Sequence, residues 1–256
     1  MLKPDPEFEI CLATDEADIL AGQRLRYDVF IDELGGDGPL VDHAARLERD
    51  EFDPYFDHLL LRDKARPGAP AVGVYRLMRD DQMPAAGRYY SEAEYDLTAL
   101  KSSGRKLMEL GRSCVHPDYR GGEALKRLWQ GLLDYTLTHG IEVMFGVASF
   151  HGTNIDALKL PLSYLHHEHL APPELRTRAL APHYHRMDLM PRDAIDQKAA
   201  MRQMPALIKA YLRLGGTVGE GAFVDRPFNT TDVCIIVDLD QVPARTREMF
   251  GRGLRG

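Results

Sequence analysis

The chain has 256 residues, 44% of them apolar and 28% charged, the balance of a globular protein with material for a substantial core. A net charge of −7 argues against a general nucleic-acid binder, which needs a basic surface, and leaves room only for a local basic patch. The three cysteines, Cys11, Cys114 and Cys234, include no CxxC pair, which speaks against a disulfide framework or structural zinc and fits a reducing cytoplasm.

The acidic start MLKPDPEFEI has no apolar centre and does not read as a signal peptide. No apolar run approaches the roughly 20 residues that span a bilayer, so any contact with the inner membrane is expected to be peripheral. EFEICLA (7–13) reads as a first strand. Thr14, followed by Asp15 and Glu16, is the expected N-cap of a helix over 17–34, with Leu20, Tyr27, Ile31 and Leu34 on one stripe. Gly35 and Gly36 end it.

An acid-rich segment follows, with Asp37, Asp42, Glu48, Asp50, Glu51, Asp53 and Asp57, and reads as an ordered functional loop or a linker. HLLLRD (58–63) and AVGVYRLMR (71–79) read as an antiparallel hairpin across KARPGAP. Residues 80–104 are rich in turn formers and are expected to be irregular, and KLMELGRSCV (106–115) is the next strand. EALKRLWQGLLDYTLTH (123–139) is the clearest helix, with Leu125, Leu128, Trp129, Leu132 and Leu133 on its apolar side and Gly140 at its end. IEVMFGVASF (141–150) then completes a βαβ unit, which requires parallel strands. Beyond residue 155, ALKLPLSYLHHEH is expected to be a helix interrupted by Pro161. The segment 197–216 is expected to be a helix that starts or kinks at Pro205, and TDVCIIVDL (231–239) a late strand.

Two places carry chemistry. The loop DYRGGEALKRLW sets Arg120, Gly121 and Gly122 at the start of the best helix, where free amides and the helix dipole favour an anion. A tight turn with a surface arginine is the competing reading. It is neither a P-loop nor a dinucleotide fingerprint, since the motifs are missing. A polar loop between a strand and a helix, with a parallel strand beyond, is how GNAT acyltransferases bind a pantetheine chain, although RGGEAL matches their loop pattern only in part. The second place is Glu109 and Arg112, a carboxylate and a guanidinium within an apolar strand, where an unpaired charge is costly. Residues three apart on a strand face opposite ways, so the two share a face only through a bulge, expected at Gly111.

RYDVFIDELG, DEFDPYFDHLLL, VGVYRLM, ELGRSCVHPDYRGG and LWQGLLDY together resemble GNAT-like enzymes that use acyl carrier protein, among them acyl-homoserine-lactone synthases. The shared positions are Arg26, Val29 and Phe30, the pair Asp50 and Asp53, Arg76, and Glu109 with Arg112. FGVASFHGTN, HLAPPELRTRAL, MPALIKAYLRLGG and GAFVDRPFNTTDVCIIV resemble ornithine Nα-acyltransferases, which begin ornithine-lipid synthesis.

The resemblance implies an α/β fold, a GNAT-like mixed central sheet flanked by helices, with a C-terminal extension. Residues 1–165 are the expected core, and 166–256 an extension packed on it within one structural domain. It implies transfer of a 3-hydroxy fatty acyl group from acyl carrier protein to the α-amine of L-ornithine. The acyl-phosphopantetheine is then a co-substrate, with no bound cofactor and no metal. Within that reading Glu109 orients or deprotonates the amine, with a plain Glu109–Arg112 ion pair as the competing role. Asp50 and Asp53 hold the ammonium groups, and Arg26, Arg76 or Arg112 the carboxylate. Cys114, Val115, Arg120, Gly121 and Gly122 line the pantetheine path, and Ser149 with His151 meets the leaving thiolate or the nascent oxyanion. A basic patch of Lys101, Arg105, Lys106, Arg120, Lys126 and Arg127 would face the acidic carrier. The HHEH and HYH runs are read as interfacial or loop histidines and not as a metal site. Synthesis of another N-acylamino acid, or a non-catalytic module that binds the carrier or a membrane, remains open.

Overall fold

The computed structural model describes residues 5–120 and 122–242. In chain order its elements begin with β1 (Phe8–Leu12), α1 (Glu16–Arg26), β2 (Asp57–Asp63), β3 (Ala71–Arg79), α2 (Met83–Ala86) and β4 (Tyr95–Asp96). Next come α3 (Thr98–Lys101), β5 (Leu107–Val115), α4 (Glu123–His139), β6 (Val143–His151), α5 (Lys159–His169), β7 (Arg178–Ala179) and β8 (Tyr184–His185). The last are α6 (Gln197–Gln203), α7 (Ala206–Arg213), β9 (Thr217–Val218), β10 (Ala222–Asp225) and β11 (Thr230–Asp238). The architecture is α/β, with a mixed sheet flanked by helices. The chain divides into two units: among the described residues, 5–86, 110–120 and 122–140 form one, and 87–109 and 141–242 the other. The seams fall after α2, within β5 and after α4.

In the first unit the strand order is β1-β2-β3-β5. β1 and β2 are antiparallel, and β2 and β3 form the expected hairpin, with a register shift between Leu61 and Arg62. Side chains alternate along β2, so Leu60 meets α1 while Leu59 meets α4 on the opposite face. Gly131 sets the second contact: a Cβ there would lie 2.5 Å from Ile10, so α4 rests directly on the sheet only because that position is glycine.

Asp15, not Thr14, caps α1, its carboxylate accepting from the Asp18 amide at 2.9 Å. Two adjacent acceptors compete for one role, and the charged one takes it. The helix continues past Arg26 as a π-type segment, Tyr27–Glu33, in which the Leu34 amide reaches back five residues to Val29. Its buried side is Gly22, Leu25, Arg26 and Val29, whereas Leu34 of the expected stripe is exposed.

In the second unit the order is β5-β6-β11-β10-β8, with β9 on β11. The β5–β6 pair is parallel, as a βαβ unit demands, from Leu107 opposite Val143 to Glu109 opposite Phe145. The segment expected to be irregular carries short turns instead of none, including a 3-10 turn at Tyr90–Ala93. Pro161 lies in the first turn of α5, where its missing N–H costs nothing, so it does not interrupt that helix. Pro205 precedes α7, where the sequence puts the break. The apolar side of that region, Met204, Ile208, Tyr211 and Leu212, is buried. Among the described residues no helix is long and apolar enough to cross a membrane.

Candidate active site

α1, the 48–53 segment, β3 and β5 bring three guanidiniums and three carboxylates into one cluster in the first unit. Arg26 meets Asp53 at 2.6 Å through Nη1 and at 3.3 Å through Nη2, and meets Glu48 through Nε. Arg76 donates to Asp50 at 2.6 Å and to Asp53 at 2.7 Å. Arg112 donates to Glu48 and to Asp50, each at 3.1 Å. Gln23 adds a bond to Asp53 at 2.8 Å, and the Phe56 ring lies 4.6 Å from the Arg76 guanidinium.

Charges this deep survive only because they compensate one another. Arg26 and Arg76 are fully buried, whereas the side chains of Asp50 and Arg112 keep 18% and 14% of their surface. Burial pushes the Asp53 carboxyl up, but Arg26 and Arg76 outweigh it and hold it far below the usual carboxylate range. Asp50 and Glu48 follow the same balance, burial opposed by Arg76 and Arg112 in one and by Arg112 and Arg26 in the other, with a net lowering in both. Burial lowers the His58 imidazole. Its Nε2 lies 3.0 Å from the Asp53 carbonyl, which can only accept, so that nitrogen carries the proton and steadies the turn.

The sequence candidates Arg26, Asp50, Asp53, Arg76 and Arg112 therefore meet in one cluster. Glu48, Gln23 and His58 belong to it and were missed. Glu48 lay in the same acid run, but nothing in its spacing set it apart from Asp42 or Glu51.

Next to Gly111, where a bulge is expected, Arg112 has φ 49°, a left-handed conformation uncommon outside glycine and asparagine. Glu109, in the second unit, is held by a turn. Its carboxylate accepts from the Tyr90 amide at 2.8 Å, the Ser91 amide at 2.6 Å and the Ser91 hydroxyl. That turn lies in the segment read as irregular, and no side-chain pattern announces it.

At the loop, Cys114 is buried in an apolar cluster with Leu25, Val29, Leu60 and Val74, and burial pushes its thiol far up. The Val115 carbonyl accepts from Arg120 Nε at 3.0 Å, and Arg120 grips Glu33 at 2.6 and 2.7 Å. The Tyr119 hydroxyl donates to the buried Asp63 at 2.8 Å. Gly121 lies outside the described residues. Gly122, with φ 99°, opens α4 without a side-chain cap, and the first amides of any helix have no partner within it.

Ser149 is exposed on β6, opposite Asp232 on β11. The expected basic patch carries its own counter-charges. Lys101 faces Glu92, Arg105 faces Glu142, Asp238 and Asp240, and both Lys126 and Arg127 face Glu123.

The family profile described as "Acetyltransferase (GNAT) domain" matches residues 25–130. L-ornithine N(alpha)-acyltransferase of Rhodobacter capsulatus is 58% identical over 252 residues, spanning 97% of this chain and 96% of that one. The protein of the same name from Brucella abortus is 44% identical over 249 residues, spanning 95% and 89%. Among solved structures, FeeM, an N-acyl amino acid synthase from uncultured soil microbes, superposes with TM-score 0.55 at 13% identity over 96% of this chain and 99% of that one. BjaI, a CoA-dependent acyl-homoserine lactone synthase, gives 0.53 at 14% identity over 98% and 90%. At such identities the likeness is one of fold.

Proposed function

The chain belongs to the L-ornithine Nα-acyltransferase family, and from that premise we propose that it transfers a 3-hydroxy fatty acyl group from acyl carrier protein to the α-amine of L-ornithine. The amine nitrogen attacks the thioester carbonyl, a C–N bond forms and the C–S bond breaks. The amine loses a proton, and the carrier leaves as its thiol. The product is lyso-ornithine lipid.

One observation supports an α-amino acid as acceptor. The ion cluster is closed at its base and keeps one group of each sign at its rim, Asp50 and Arg112. An α-amino acid presents one ammonium and one carboxylate, which match that pair. Asp53, Arg26 and Arg76 act from behind by fixing the rim charges. Glu109 orients the amine and accepts its proton, directly or through water. The amides at the start of α4, with Arg120, take the phosphopantetheine, alongside Cys114 and Val115. The buried Cys114 thiol is no nucleophile, which favours direct transfer without an acyl-enzyme. Ser149 is our candidate for meeting the departing thiolate. The fatty product gives the enzyme reason to work beside a membrane, by peripheral contact.

Mass spectrometry on reactions offering several amines, with 3-hydroxyacyl, saturated acyl and CoA-linked donors, tests this. Acyl-ornithine formed fastest from the 3-hydroxyacyl carrier supports it. A faster reaction with another amine points to a different N-acylamino-acid synthase, and no product with any pair rejects an enzyme of this class.

A further inference from the structure

Glu109 sits at the last residue of the parallel β5–β6 register and is 1% exposed. A carboxylate at such depth needs donors, and Ser91 supplies both an amide at 2.6 Å and a hydroxyl to its Oε1. Ser91 is itself 1% exposed, so its hydroxyl serves this contact in a dry setting. The turn that carries it is built to stay in place. The Tyr89 amide donates to Glu92 at 2.8 Å, Lys101 holds Glu92 at 2.6 Å, and the Tyr89 ring packs edge-on against Phe145 at 5.0 Å. Phe145 is the residue paired with Glu109 across the parallel strands, so the same residue pair anchors both ends of the contact.

We propose that Ser91 is a positioning residue for acyl transfer, acting by fixing the orientation of the Glu109 carboxylate. The inference rests on the role proposed for Glu109. Two of the three donors described above are main-chain amides, which every residue but proline supplies. The Ser91 hydroxyl is the one a substitution removes. A buried carboxylate that loses a charge-assisted donor swings toward other partners, and alignment is lost before binding is.

The experiment is steady-state kinetics on Ser91→Ala, Ser91→Thr, Glu109→Gln and the Ser91→Ala/Glu109→Gln pair, with thermal unfolding of each. Ser91→Ala is expected to lower kcat about tenfold, the worth of one hydrogen bond to a charged group, with the ornithine KM unchanged. Ser91→Thr should restore most of the rate, and Ser91→Ala should cost nothing further in the Glu109→Gln background. An unchanged kcat in Ser91→Ala, or an equal loss in both backgrounds, overturns the inference. If Ser91→Ala fails to fold, Ser91→Cys replaces it, and its weaker donor must give an intermediate kcat. Full kcat in Glu109→Gln would instead remove the role of Glu109, a separate failure.

Discussion

Arg26 and Asp53 form a two-pronged ion pair, at 2.6 and 3.3 Å, between a fully buried guanidinium and a carboxylate that also serves Arg76. The pair makes Asp53 the joint of the cluster, since one carboxylate answers two buried cations.

Asp53→Asn would leave that pair of arginines short of one negative charge. Breaking a buried pair from one side costs about 3–5 kcal/mol, so the urea midpoint should fall well below that of the parent protein. Arg26→Met, which removes the opposite partner, should be similarly damaging. Near-parental stability in both variants would show that the cluster is hydrated in solution.

The same cluster sets an acid limit. The carboxyls of Glu48, Asp50 and Asp53 are all held below their ordinary values. In the unfolded chain they titrate at about pH 4. The unfolded chain therefore binds more protons in that range, and stability present above about pH 4 is lost as pH falls through the lowered folded values. Fluorescence of Trp129, the single tryptophan, offers a simple probe. A midpoint unchanged between pH 5 and pH 3 would count against this balance.

Arg112→Lys tests geometry apart from charge. A lysine keeps the cation but lacks the planar fork that reaches Glu48 and Asp50 together. The ornithine kcat/KM should fall about tenfold or more, with a smaller change in the carrier KM. Equal losses for both substrates would argue against contact with the acceptor.

Glu33 pairs with Arg120, the group proposed to hold the donor's phosphate. An exposed pair of this kind contributes about 0–1 kcal/mol, so Glu33→Gln should scarcely change stability. If Arg120 takes the carrier's phosphate as proposed, that change frees its guanidinium and the carrier KM should fall. Arg120→Ala should raise it, while the ornithine KM stays the same. No response in either variant would take Arg120 out of donor binding.

Glu109→Ala separates catalysis from carrier binding. Turnover should be lost while the protein still retains acyl carrier protein on a column, because the groups proposed to hold the carrier's arm lie further along the chain, from Cys114 to Gly122. Parental turnover would leave Glu109 a purely structural group.

Much of this was readable in advance where a physical period exists. α4 runs over Glu123–His139 as its apolar spacing predicts, and the β2–β3 hairpin follows its turn residues. Five of the cluster's charges were named by resemblance as groups that hold the substrate, and in the structure they pair with one another. Glu48, Gln23 and His58 were not, because a side chain that joins a buried network does so through tertiary geometry and leaves no spacing behind. The holding of Glu109 was invisible for a related reason: its donors include the amides of Tyr90 and Ser91, and every residue but proline carries one. Arg112 shows a third limit, since nothing in an arginine's side chain announces a left-handed backbone.

The seclusion of Cys114 has a practical side. Cys234 is likewise buried with its thiol pushed up to about 12, and burial raises Cys11 as well, so the described cysteines are poor thiolates at neutral pH. With the thioester donor proposed above, a disulfide dye added to a running reaction would report chiefly the thiol that the donor sheds, allowing turnover to be followed continuously by absorbance.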